Sequence, residues 1–159
     1  MNEKIRYLRE KMKKLDLEGM IISNPINIKY LTNIEEEGTL LITRKENIFI
    51  TYSMYLESVK NTLTINDEII VADTREISKE DYENFFLFCE NVGFEENYVT
   101  YENYKIIKQK YKTNNLVETE EKKEKMREVK NQDEINNIKK ACEITDRCFE
   151  HLQKFIKIG

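Results

Sequence analysis

The stretch Asn27-Ile-Lys-Tyr-Leu-Thr-Asn-Ile34 decides how the rest of the chain is read. Met20-Ile21-Ile22 precedes it and Leu40-Leu41-Ile42 follows it. Short continuous apolar runs of this kind read as buried strands. Asn24-Pro25 marks a turn and a helix start, because proline's fixed φ suits the first helical position and its missing N–H is not needed there. Ile26 to Leu31 then makes a short helix. A polar and aromatic segment held between two strands is a place for a loop that faces a partner.

Working outward, Ile5, Leu8, Met12 and Leu15 recur at intervals of three and four, which predicts a helix over 3–16 with charge on its other face. Gly19 follows as a stop, and Gly19 to Ser23 is the first buried strand. Asn33 to Gly38 is an acidic loop carrying Glu35-Glu36-Glu37. It reads as a solvated loop and not a cation site, since a hard metal needs ligands converging from several directions. Thr39 to Thr43 and Asn47 to Thr51, separated by Arg44-Lys45-Glu46, form a hairpin signature.

Beyond the hairpin, 52–61 reads as helix with Tyr55, Leu56 and Val59 on one face, and 68–72 as a strand. Ser78 is an N-cap for a helix over 79–91 whose stripe is Tyr82, Phe85, Phe86 and Cys89, with Gly93 as its stop. The pattern then predicts a strand at 97–100, a helix over 102–112 and a last strand at 115–118. Strands alternating with helices predict an α/β domain with a mixed β-sheet flanked by helices. No glycine-rich loop follows a strand, so the phosphate-cradle signature is missing.

Domain organisation follows from a change of character at Glu118. Residues 1–118 read as the α/β domain and 119–159 as a charged connector and long helix. Asn131 and Glu134 have capping-box spacing. The stripe Ile135, Ile138, Cys142, Thr145, Phe149, Leu152 and Ile156 predicts a helix from about Gln132 to about Lys157, about 35–40 Å long. Such a stripe wants a partner surface, and the stop at Gly159 directly after it reads as a cut.

Composition limits the function classes. The 159 residues are 40% hydrophobic and 35% charged, enough for one core under a heavily solvated surface. A net charge of −4 argues against nucleic acid or an anionic membrane as partner. No run approaches the roughly 20 apolar residues of a membrane helix, and the first residues lack a signal-peptide core, so the expected location is cytoplasmic. Cys89, Cys142 and Cys148 have no short paired spacing and read as reduced thiols filling core positions. The single histidine, His151, sits on the long helix and reads as a surface or interdomain residue.

Taken in order, these pieces resemble the N-terminal domain of the creatinase/prolidase/aminopeptidase P (Xaa-Pro peptidase) family. Residues 6–22 are similar to its opening helix and first strand, and Asn27 to Ile34 to its Asn-x-x-Tyr-Leu-Thr-Gly-Phe segment. Phe49 to Leu56 resembles Phe-x-Asp-x-Arg-Tyr, Met126 to Ala141 the connector, and Phe155-Ile-Lys-Ile-Gly159 the Ile-Lys-Pro-Gly that opens the catalytic domain. The resemblance implies a ribonuclease H-like sheet and a non-catalytic domain that contributes to dimerisation and active-site access in a metal-dependent Xaa-Pro peptidase. It also implies a catalytic domain of the same chain, absent here, holding two Mn or Co ions and acting on proline-containing peptides. Asn27, Tyr30 and Tyr55 are the implied substrate-access or partner-facing residues; their alternative role is to pack and cap the sheet edge. No catalytic residue or metal ligand is expected in this chain. Three positions depart from the pattern: Asn33 replaces Gly, Tyr52 replaces Asp and Met54 replaces Arg. The competing reading is a free-standing interaction or dimerisation module without peptidase activity.

Overall fold

A computed structural model describes residues 2–63, 68–119 and 127–156. The chain divides into two units, Met1–Glu120 and Glu121–Gly159. The first contains α1 (Glu3–Lys14), β1 (Gly19–Ile22), α2 (Pro25–Thr32), β2 (Gly38–Thr43) and β3 (Asn47–Thr51). A 3-10 turn (Ser53–Tyr55) leads into α3 (Leu56–Thr62), then β4 (Ile70–Asp73), α4 (Lys79–Phe85), β5 (Asn91–Phe94), α5 (Tyr101–Tyr111) and β6 (Asn115–Glu118). The second contains α6 (Gln132–Gln153).

The six strands form one mixed sheet in the order β4-β3-β2-β1-β5-β6. β2 pairs antiparallel with β1 and β3, and the other pairings are parallel. Five strands therefore point one way and β2 alone is reversed. This is the expected α/β architecture, and it fits the ribonuclease H-like sheet. β1 lies at its centre and is buried over its whole length, as its unbroken apolar run requires.

Alternation along the strands loads both faces. Ile21, Leu41, Ile50 and Val92 face α4 and α5, where they cluster with Phe86, Cys89 and Tyr111. Phe86 packs edge-on against Phe85 and Tyr111, at centroid distances of 4.8 and 5.6 Å. On the opposite face Leu17 approaches Gly93, and α1 buries its stripe Ile5, Leu8 and Met12. Arg9 ties α1 to the β2–β3 turn, donating to the Thr43 carbonyl at 2.9 Å and to Asn47 Oδ1 at 3.0 Å.

The second half of the sheet differs from expectation. The helix read over 79–91 ends at Phe85, and the strand read at 97–100 lies at 91–94 instead. Gly93 is inside β5 and not a helix stop. A β-carbon on it would sit 2.9 Å from Leu17 Cδ1 and 2.8 Å from Thr119 Cγ2, so the close approach of these layers needs glycine there. Residues 95–98 form a turn in which Tyr98 and Val99 N–H donate to the Glu95 carbonyl. The physical reason is pairing: Asn91 and Val92 are held between β6 and the end of α1's loop, with Glu18 accepting the N–H groups of Glu90 and Asn91. The strand read at 68–72 runs 70–73, and the helix read over 52–61 begins as the 3-10 turn.

α6 begins with the expected capping box: Glu134 N–H donates to Asn131 Oδ1 at 2.8 Å, and Asn131 N–H to Glu134 Oε2 at 2.9 Å. It ends at Gln153, four residues before the expected Lys157. The connector over 120–126 and the closing residues 157–159 lie outside the described residues. Ile138, Phe149, Leu152 and Ile156 of its stripe are exposed. Of the three thiols, Cys89 fills a core position, whereas Cys142 and Cys148 are exposed on α6. That corrects the reading of all three as core residues: helical spacing alone cannot tell a covered stripe from an uncovered one.

Candidate functional site at the carboxyl edge of the sheet

Because β1, β3, β4, β5 and β6 are mutually parallel, their carboxyl ends share one edge. In open α/β sheets ligands bind outside that edge, where the strand order reverses direction. Here the reversal lies between β1 and β5: the chain builds outward from β1 to β4, then returns to the other side of β1. The residues after β1 are Ser23, Asn24 and the N-terminus of α2; the residue after β5 is Glu95.

Glu95 fills this position. Its Oε2 accepts the backbone N–H groups of Ser23 at 2.6 Å and Asn24 at 2.7 Å, and its Oε1 accepts from Asn27 Nδ2 at 2.6 Å. The residue is buried, at 6% exposure. A helix N-terminus offers orphan N–H groups and a favourable dipole to an anion. In this protein the anion is its own carboxylate. Asn24 caps the same helix, accepting from Ile26 N–H at 3.0 Å, with Pro25 at its first position. α2 closes on Asn33, which takes the left-handed conformation (φ 61°) that asparagine tolerates, so the turn survives without glycine.

The neighbouring strand ends are tied in the same manner. The Ser53 hydroxyl donates to Asp73 at the end of β4. Arg75 N–H donates to Asp73 Oδ1 at 2.9 Å and its Nε to Ser53 Oγ at 2.7 Å. These donors, the Ser53 hydroxyl first, hold the Asp73 carboxyl below the usual aspartate range. In the acidic loop, Ser58 donates to Glu36 and lowers its carboxyl likewise. Lys29 pairs with Glu35 at 2.6 Å, and the Thr51 hydroxyl donates to the Glu37 carbonyl at 2.5 Å.

This donor set does not fit a metal. The carboxylates of Glu95, Asp73 and Glu36 are each engaged by different N–H or hydroxyl groups. Among the described residues no group of three or more His, Cys, Asp or Glu side chains is arranged to hold an ion. His151 lies on α6 with its ring 4.8 Å from that of Phe155.

The three residues singled out in the sequence all fall on this edge, in different surroundings. Asn27 faces inward to Glu95. Tyr30 is half-buried, with Lys4 Nζ 4.0 Å from its ring centre. Tyr55 is half-buried beside Tyr52, the rings edge-on at 6.5 Å. The outward groups are Ile26 on α2 and Tyr52 and Met54 after β3, at 59%, 48% and 78% exposure. The two replaced positions thus put an aromatic and a thioether at the surface of the edge. Glu95 and the Ser53–Asp73–Arg75 cluster were not anticipated; a correct register for β5 is the signal that would have placed Glu95 at the strand end.

A family model described as Creatinase/Prolidase N-terminal domain matches residues 4–129. The chain belongs to this family. Within it, this creatinase/prolidase N-terminal domain is 30% identical over 159 residues to a Bacillus subtilis (strain 168) protein described as uncharacterized peptidase YqhT, covering 98% of this chain and 44% of that relative. The structure of an Xaa-Pro dipeptidase from Bacillus anthracis is similar with a TM-score of 0.87 at 27% identity, over 99% of this chain and 44% of that one. The N-terminal domain of the cytoplasmic peptidase PepQ from Mycobacterium tuberculosis H37Rv shares the fold, with a TM-score of 0.68 at 21% identity, over 79% of this chain and 98% of that one. The domain therefore spans less than half the length of the curated relatives it matches. No helix among the described residues is long and apolar enough to cross a membrane.

Proposed function

We propose that this chain is the non-catalytic N-terminal domain of a metal-dependent Xaa-Pro peptidase, an aminopeptidase P or prolidase, working in the cytoplasm. Residues 1–118 form the domain proper, and 119–159 lead into a catalytic domain that carries two Mn or Co ions. The observation that carries this reading is the match to a dipeptidase at 27% identity over 99% of this chain and 44% of that one. The domain's work is assembly into a dimer and control of access: a wall beside the metals admits only a short N-terminal peptide segment. Tyr30 and Tyr55, with Tyr52 and Met54 beside them, face the catalytic domain or the substrate, while Asn27 acts through Glu95 by fixing α2. The accessory role suits the carboxylates of Glu95, Asp73 and Glu36, each of which is engaged by N–H or hydroxyl groups of the domain itself.

The test joins this chain to the coding sequence that follows it and measures cleavage of an Xaa-Pro dipeptide and a longer Xaa-Pro peptide with Mn²⁺ or Co²⁺. Metal-dependent cleavage by the joined protein, and none by residues 1–159 alone, is the expected result. Cleavage by 1–159 alone, or a joined protein inert on both peptides, overturns it.

A further inference from the structure

Arg75 is held at the carboxyl edge in a way that leaves the end of its guanidinium open. Its backbone lies in the turn that closes β4. Thr74 N–H donates to the Thr51 carbonyl of β3 at 2.9 Å, and Glu76 N–H to the Asp73 carbonyl at 3.0 Å. The side chain is fixed from one side. Its Nε donates to Ser53 Oγ at 2.7 Å and lies 3.9 Å from Asp73 Oδ1. The Ser53 hydroxyl donates onward to Asp73, which is itself buried at 6% exposure. Among the described residues none accepts a hydrogen bond from the two Nη groups, and the side chain is 78% exposed. Ordering a long side chain costs entropy. Here a hydroxyl and a buried carboxylate meet that cost and leave the far end of the guanidinium in solvent.

Paired Nη groups form a planar fork that matches the two oxygens of a carboxylate. The surroundings narrow which carboxylate. Ser53, the residue that anchors the fork, stands between Tyr52 and Met54, whose side chains are exposed. A free phosphate or an acidic side chain would use the fork and leave that aromatic and thioether surface in water. A C-terminal proline uses both, because its apolar ring bears the carboxylate directly.

We propose that Arg75 is a specificity-determining residue, taking the C-terminal carboxylate of an Xaa-Pro dipeptide on its two Nη groups with the prolyl ring against Tyr52 and Met54. Ser53 and Asp73 are positioning residues that act through the guanidinium. This rests on the peptidase reading above and deepens it: of the substrates that reading allows, it selects dipeptides over longer or blocked peptides.

Steady-state cleavage of alanyl-proline, alanyl-prolinamide and alanyl-prolyl-glycine by the joined protein with Mn²⁺ tests it. Only the first carries a carboxylate on the prolyl ring. The wild type is expected to favour it in kcat/KM by about tenfold or more, the worth of a charge-assisted hydrogen-bond pair. Arg75→Gln is expected to lose that preference, through a raised KM for alanyl-proline and a far smaller change on the other two. Arg75→Lys recovers part of it, since an ammonium lacks the fork. Ser53→Ala raises KM for alanyl-proline above all, and Glu102→Gln on α5 cleaves all three like wild type. A wild type without the preference, a preference that survives Arg75→Gln, or an equal loss on all three substrates in both Arg75 variants each overturn the proposal while the peptidase reading stands. A wild-type joined protein inert on all three overturns both.

Discussion

Replacing Glu95 by glutamine is the most incisive perturbation of the candidate site. The side chain keeps its size and one oxygen. That oxygen can still accept the Ser23 and Asn24 N–H groups, now 2.6 and 2.7 Å from Oε2. The new amide then faces Asn27 Nδ2, donor against donor, where Oε1 accepted at 2.6 Å. A hydrogen bond to a charged group is worth about 1.5–3 kcal/mol and a neutral one about 0.5–1.5. Losing charge assistance on two bonds and disturbing a third comes to about 2–3 kcal/mol. For a domain of this size that lowers the melting temperature by on the order of 8 °C. Asn27→Ala removes the third bond alone and should cost about 1 kcal/mol. Thermal and urea unfolding of both variants, beside Glu102→Gln on the exposed surface of α5 as control, reads these differences directly. If Glu95→Gln melts with the control, the carboxylate does not lock the β1–α2 turn and the account of this edge is wrong.

Three further outcomes follow from the same geometry. Asp73 is held below the usual value of 3.8, chiefly by the Ser53 hydroxyl; it therefore adds stability above that pH that is lost as the pH falls through its depressed value, and Ser53→Ala should flatten the acid limb of the stability curve below about pH 4. Gly93→Ala places a methyl 2.8 Å from Thr119 Cγ2 and 2.9 Å from Leu17 Cδ1, and should destabilise by about 1–3 kcal/mol through overpacking, measured by urea unfolding. A thiol reagent should label Cys142 and Cys148 in the native chain and Cys89 only after denaturant is added, because Cys89 is buried and the other two are exposed.

The first half of the fold was legible because its signals are local. β1 and the β2–β3 hairpin announce themselves by short apolar runs, and α2 by Asn24-Pro25, a cap and a first-turn proline adjacent in sequence. The capping box at Asn131 and Glu134 is likewise contained within four residues. β5 was misplaced because its identity is not local. Asn91-Val-Gly-Phe94 follows a helical stripe of Tyr82, Phe85, Phe86 and Cys89, and its glycine looks like a stop until β1 and β6 are set on either side. Glu95 shared that fate. It is one of 30 acidic residues, and its partners lie 68 to 72 positions earlier. Asn27, Tyr30 and Tyr55 could be singled out through the family resemblance, but the inward role of Asn27 required the partner it meets.

The single reversed strand has a consequence for how the chain is made. β1 to β4 follow one another in sequence and lie side by side in the sheet, β1–β2–β3 antiparallel and β4 added parallel to β3 after α3, so their pairings are all available once about 73 residues have emerged. During synthesis from the N-terminus this half assembles first. β5 must then travel back across the finished ribbon to dock on the far side of β1. Until it does, the amides of Ser23 and Asn24 have only water to satisfy them, and the central strand is an open margin. The arrival of Glu95 is thus the event that seals the domain, and a ribosome stalled before residue 91 would present nascent chains with that margin still able to pair with the wrong neighbour.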